Sequence, residues 1–260
     1  MKAKKKILAL AVVAIIAAIA VIGTSLAWFT AKDQATNVFT IGKIHIVQNE
    51  QQRKLNENGN PIDNELEPFV QNKVLLPIVG SVGNNGANEA VNPGNAKNYQ
   101  DKIVTVTNDG NNPAYVRTFI AIPKTLDDDT ASNNMLHFNS NFTGWNWKNA
   151  SGNWIVIEKT INGVVYNVYM ATYTDALAKD ATTTRVLKGV YLDEKTDVNA
   201  DGYLVKGNYT STQKADKPIT IYVATQAVQA DGFTDAASAL NAAFGDPTTD
   251  STKLPNFVTD

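Results

Sequence analysis

The sequence predicts an all-β fold: a jelly-roll-like antiparallel β-sandwich with one or two short helices and long polar insertions. Three observations point there. Segments rich in Val, Ile, Thr and Tyr recur along the chain and are divided by Asn, Gly, Pro and Asp clusters. Asn162-Gly163 separates two such segments, the strongest short-range hairpin signal a sequence carries. One segment alone combines clear helical spacing with caps at both ends.

The elements follow in order. VFTIGKIHIV, 38–47, alternates as a first strand, with Phe39 and Ile41 on one face and Ile44 and Ile46 on the other. Residues 48–68 are polar, and NENGN at 56–60 is a turn signal. VLLPIV, 74–79, is interrupted by Pro77, which fits an edge strand or a loop packed on the core. Residues 80–99 form a Gly/Asn-rich loop. KIVTVTN, 102–108, puts Val104 and Val106 on one face and Thr105 and Thr107 on the other. AYVRTFIAI, 114–122, is a strand ended by Pro123. The segments flanking Ile161-Asn162-Gly163 form the hairpin, and 184–192 and 218–230 are two more strands. FTDAASALNAAFG, 233–245, is the helix, with Thr234 as its N-cap and Gly245 at its C-terminal end. A weaker helix is expected at 174–180, and 127–152 and 193–217 read as polar insertions.

The chain begins with Lys2, Lys4, Lys5 and Lys6, then an apolar run from Ile7 to Ile22 and small residues. That order is a secretory signal, and Ser25-Leu26-Ala27 places cleavage between Ala27 and Trp28. The expected organisation is a signal at 1–27, an extended arm and first strand at 28–47, and one sandwich domain at 48–260. Cleavage would leave no stable membrane anchor. The signal carries four Lys and no acid, so the mature chain has 19 Lys+Arg against 25 Asp+Glu, a net charge of −6. That balance disfavours nucleic acid and anionic lipid as partners. Cysteine is absent, which excludes disulfides, thiolate metal sites and cysteine nucleophiles.

Few residues carry a chemical signature. The two histidines, His45 and His137, lie far apart, and no His-Glu-x-x-His, Gly-x-Ser-x-Gly or phosphate-loop pattern exists. The reading is therefore not an enzyme, with no required cofactor. DVNADGY, 197–203, sets Asp197, Asn199 and Asp201 at positions 1, 3 and 5 of a calcium loop, with Gly202 at position 6. Its twelfth position is Asn208 rather than Glu, so a Ca²⁺-ordered loop and a plain Asn/Asp/Gly turn both stay open. Trp145, Trp147 and Trp154 cluster in GWNWKNASGNW, where they either cap a sandwich core or stack on sugar as a carbohydrate- or surface-binding adhesin would.

GTSLAWFTAKDQATNVFTIGKIHI, 23–46, resembles the export region of the TasA/camelysin class of Firmicute biofilm-matrix proteins, through Gly23-Thr24, Phe29-Thr30 and Asn37-Val38-Phe39-Thr40-Ile41-Gly42. NPGNAKNYQDKIVTVTNDGNNPAYVRTFIAIP, 92–123, and QAVQADGF, 226–233, resemble the BsaA-type pilin-like branch of that class, whereas 124–217 resemble nothing recognisable. The resemblance implies release by a dedicated SipW-type signal peptidase and a location in the extracellular matrix or on the surface of a Gram-positive bacterium. It implies a subunit that polymerises with copies of itself, with an accessory matrix subunit as a further partner. The route it implies is donor-strand exchange, in which the N-terminal segment of one copy completes a sheet of the next. Trp28 and Phe29 would be the leading anchors, and Val38, Phe39, Ile41, Ile44 and Ile46 would fill core positions, with the polar residues 30–37 as a tether. Some camelysin-type relatives have been called metalloproteases; without a zinc motif that activity does not carry over.

Overall fold

The computed structural model describes residues 30–33, 44–79, 97–128, 130 and 132–257. The strands are β1 (Thr30–Asp33), β2 (Ile46–Leu55), β3 (Pro61–Pro68), β4 (Gln100–Asn108), β5 (Ala114–Pro123), β6 (Leu136–Ser140) and β7 (Trp145–Asn146). They continue with β8 (Val156–Ile161), β9 (Val164–Tyr173), β10 (Leu187–Leu192), β11 (Thr196–Val198), β12 (Tyr203–Lys206), β13 (Tyr209–Lys214) and β14 (Tyr222–Gln229). One α-helix, α1 (Ala236–Phe244), follows β14. No helix among the described residues is long and apolar enough to cross a membrane.

Two antiparallel sheets make the sandwich. The first has the order β1-β14-β5-β9-β7, with β8 also paired to β9; the second runs β3-β2-β4-β10-β6. The chain crosses between them at β4 to β5, β5 to β6, β6 to β7, β9 to β10 and again before β14, as expected of a jelly-roll-like fold. Between the sheets lie Val104 and Val106 from β4, Val116, Ile120 and Ile122 from β5, and Phe138, Trp147, Ala171 and Leu187. From Val104 to Asn108 the period-2 pattern of β4 is its burial pattern, whereas Asp101 to Val104 are all buried. β5 has no such alternation because the outer face of its sheet is covered too: Phe119 and Ala121 pack under Leu254 and Phe257, and α1 packs on Tyr115 and Val228.

Local chemistry explains the expected turns and caps. Asn162 (φ 50°) and Gly163 (φ 82°) both take the positive φ that a two-residue hairpin needs. In α1 the N-cap is Asp235, one residue after the expected Thr234, and its side chain accepts the Ser238 N–H at 2.8 Å. Gly245 (φ 81°) ends the helix as expected.

Four expectations are corrected. The polar run 48–68 is a hairpin of β2 and β3, and β2 begins at Ile46, so a boundary at residue 47 falls inside it; residues 38–43 of the expected 38–47 strand lie outside the described residues. Segment 174–180 is not helical, because its backbone bonds to β5 through reciprocal Ala114–Leu177 bonds of 3.0 and 2.7 Å. The insertion 193–217 holds a third small sheet, β11-β12-β13. The insertion 127–152 supplies β6 and β7.

The β2–β4 contact contains a buried ion pair. The Arg53 guanidinium donates to both carboxylate oxygens of Asp101, at 2.8 and 2.9 Å, and both residues are buried. Breaking such a pair strands a charge, so Asp101→Ala should cost about 3–5 kcal/mol, whereas a matched apolar pair (Arg53→Met with Asp101→Leu) recovers most of it. Urea unfolding of the three chains checks this, and equal losses in the single and double variants would contradict it.

Candidate functional site

β14 is where the sequence-derived arm meets the folded body. On one side its whole length, Tyr222 to Gln229, pairs with β5 from Ala121 to Ala114. On the other side four residues are paired: Thr30, Ala31, Lys32 and Asp33 face Val228, Ala227, Gln226 and Thr225 in an antiparallel register. Thr30–Asp33 is thus an edge strand supplied by the N-terminal segment. This replaces the reading of 30–37 as a polar tether, at least for its first four residues. A four-residue TAKD strand has no apolar alternation, which is why periodicity missed it.

The inward side of this edge is small and partly polar. Val223 and Ala227 join the inter-sheet core, and Thr225 is buried between them. Thr225 Oγ1 donates to Gln48 Oε1 of β2 at 2.7 Å, and Gln48 Nε2 donates to the Val223 carbonyl at 3.4 Å. These bonds tie the two sheets together beside β1 without adding a strand.

Of the expected arm residues, Trp28, Phe29, Val38, Phe39 and Ile41 lie outside the described residues, as does the cleavage position Ala27–Trp28. Ile44 and Ile46 are described, and both are buried in the core of their own subunit, next to β4.

The tryptophan cluster is a core feature. Trp145 and Trp147 are 2% and 0% exposed, and their indole N–H groups donate to the carbonyls of Thr184 and Asn141. Trp154 packs edge-on against Trp147, Phe138 and Tyr169. Two of the three rings therefore have no face free for a sugar.

At 197–203 the Asn199 side-chain oxygen and one oxygen of Asp197 are engaged by backbone. Asn199 Oδ1 accepts the N–H groups of Asp201 and Tyr203, and Asp197 Oδ1 accepts that of Val198. The segment is an Asx turn joining β11 to β12. Among the described residues no group of three or more His, Asp or Glu side chains converges as metal ligands would.

The histidines remain apart. His45 pairs with Asp109 at the surface. His137 is buried, bonds Asp193 through Nε2 at 3.2 Å and leaves Nδ1 without a partner. The same Asp193 carboxylate accepts from Lys206 Nζ at 2.8 Å and from the Lys195 N–H at 2.9 Å. Burial alone would raise the Asp193 pKa, but the bonds from His137, Lys206 and Lys195 win and hold it well below the ordinary carboxylate range. A depressed folded-state pKa means the stabilisation is complete above the unfolded value of about 3.9 and drains away as pH falls toward the folded one. Asp193→Asn should therefore lower the urea midpoint at pH 7 and flatten its decline between about pH 4 and pH 2. An acid limb identical to that of the parent chain would contradict this.

Compared with protein-family models, with curated proteins and with solved structures, the chain finds no match in any of the three.

Proposed function

We propose that the chain is an exported structural subunit of an extracellular matrix or pilus-like fibre of the TasA/camelysin kind, assembled head-to-tail by its N-terminal arm. The observation that carries this reading is the pairing of Thr30–Asp33 with β14. The N-terminal segment provides a strand to a sheet edge that has β5 on its other side. Four residues of pairing form a weak attachment, and an identical segment from another copy presents the same backbone groups in the same register. Exchange would give a heterologous contact that does not close on itself, which generates a filament.

The aromatic pair Trp28-Phe29 immediately precedes β1. In the exchanged arrangement these rings anchor the arm at the neighbouring subunit, each worth roughly 1.5–3 kcal/mol if fully buried. Phe39 and Ile41 follow β1 and extend the same segment. Ile44 and Ile46 carry the same segment on into the core of the chain. Signal cleavage after Ala27 releases the arm and so times assembly. The partners are copies of the chain itself, the dedicated signal peptidase and an accessory matrix subunit.

The test compares residues 28–260 with a chain starting at Ile44, by unboiled SDS gel and negative-stain microscopy. The longer chain is expected to give ladders and filaments and the shorter a folded monomer. Filaments from both would remove the arm from the mechanism. No sugar-binding reading is retained, because Trp145 and Trp147 are buried.

A further inference from the structure

The outer face of the first sheet carries a cleft of about 370 Å³, bounded by α1 on one side and the start of β8 on the other. Trp154, Ile157, Met170 and Leu240 give it apolar walls. Arg117, on β5, lines it as well, although the residue as a whole is only 1% exposed. From the sequence, Arg117 looks like an ordinary polar position in a strand. The helix above it makes it a buried cation.

The hydrogen-bond acceptors of that cation are neutral. Its Nε donates to Gln226 Oε1 at 2.7 Å, Nη1 to Asn241 Oδ1 at 2.9 Å and Nη2 to the Gly245 carbonyl at 3.0 Å. The rings of Phe119 and Phe244 flank it at 5.4 and 5.7 Å. An arginine has five N–H donors, so one hydrogen on each Nη lacks an acceptor here. Beside it, Gln226 Nε2 is buried and makes no hydrogen bond. Among the described residues Arg117 has no ion pair. Asp246 also lines the cleft and acts on Arg117 from a distance, but its Oδ1 is taken by the Thr248 N–H and hydroxyl. Burial pushes the guanidinium down to about 10, with Asp246 acting the other way.

We infer that this cleft binds an organic carboxylate with a short apolar tail. The carboxylate pairs with the spare Nη hydrogens of Arg117, and the tail lies against Trp154, Met170 and Leu240. Bidentate guanidinium–carboxylate pairing is strong in such a water-poor site. The bonds from Arg117 to Asn241 and Gly245 fix α1, so the guanidinium is held in place before a ligand arrives. This inference does not rest on the fibre reading.

The experiment uses residues 28–260 with hexanoate and hexanamide as probes, followed by calorimetry and ligand-observed NMR. Hexanoate should bind at least about tenfold more tightly than its neutral amide, the difference expected for one charge-assisted pair. Ala237→Trp, on the exposed flank of α1 at the cleft, should abolish binding while leaving every Arg117 bond in place. Asp246→Asn should tighten it by removing a like charge. A capped Gly-Leu dipeptide with a free chain-terminal carboxylate distinguishes the source. Tighter binding than hexanoate assigns a peptide terminus, and weaker binding assigns a free acid. Equal affinity for acid and amide, loss of affinity in Asp246→Asn, or no binding of either probe overturns the inference and leaves Arg117 as a clamp for α1 alone.

Discussion

Replacing Ala31 and Lys32 together by proline should abolish fibres while leaving a folded monomer. Adjacent residues of a strand point their N–H groups to opposite sides, so in a double replacement one of the two removes a bond to β14 whatever the parity of the ladder. The loss to the monomer is small, because β1 pairs over four residues only. The loss to the polymer is complete if the same four residues form the intersubunit ladder. Size-exclusion chromatography and negative-stain microscopy read both quantities. Normal filaments from the double variant would show that the intersubunit contact lies elsewhere.

The largest stability effect is expected at Trp147. Its side chain is fully buried in the inter-sheet core, touches Phe138 and Trp154 at ring-centroid distances of 6.0 and 5.7 Å, and donates to the Asn141 carbonyl at 2.8 Å. Trp147→Ala opens a cavity and leaves that carbonyl without its donor. A cost of about 3–5 kcal/mol follows from large-to-small substitution in a core. For a domain of this size that lowers Tm by roughly 6–20 °C. A shift of a degree or two would mean that Trp147 is a surface residue, and the sugar-stacking reading would reopen.

The sandwich was legible where burial is one-sided. In β4, Val104 and Val106 face the core while Thr105 and Thr107 do not, so the alternation in the sequence is the structure. Asn162-Gly163 was legible because its backbone geometry requires those residue types. The β2–β3 hairpin was not, since its buried positions include Gln52 and Arg53, which periodicity counts as polar. Arg53 is inside only because Asp101 from β4 meets it, a contact separated by 48 positions in sequence. The three-stranded sheet β11-β12-β13 is likewise short-stranded and mostly polar around its turns, with Leu204 reaching the main core.

The candidate assembly edge was legible in part. The expected export signal and the aromatic pair pointed to an N-terminal arm, but nothing in TAKD marks it as a strand. Its partner β14 supplies the order. Ile44 and Ile46 were read as positions to be filled in one subunit or its neighbour; within the chain itself they pack in the same cluster as Val104 and Val106. The cleft under α1 was invisible, since the helix that buries Arg117 begins 119 residues later in the chain.

The central claim is that the β1–β14 ladder forms between subunits in the fibre. The absence of native cysteine permits a direct test. Ala31 and Ala227 are register partners, and directly opposed residues of an antiparallel pair have Cα atoms about 4.5–5.5 Å apart, within reach of a disulfide. The variant Ala31→Cys with Ala227→Cys would be assembled, oxidised and run on a non-reducing denaturing gel. Exchange predicts a covalent ladder that collapses to monomer on reduction, with neither single variant forming it. A product that is entirely monomeric, carrying its disulfide within one chain although filaments were present before denaturation, would contradict the account.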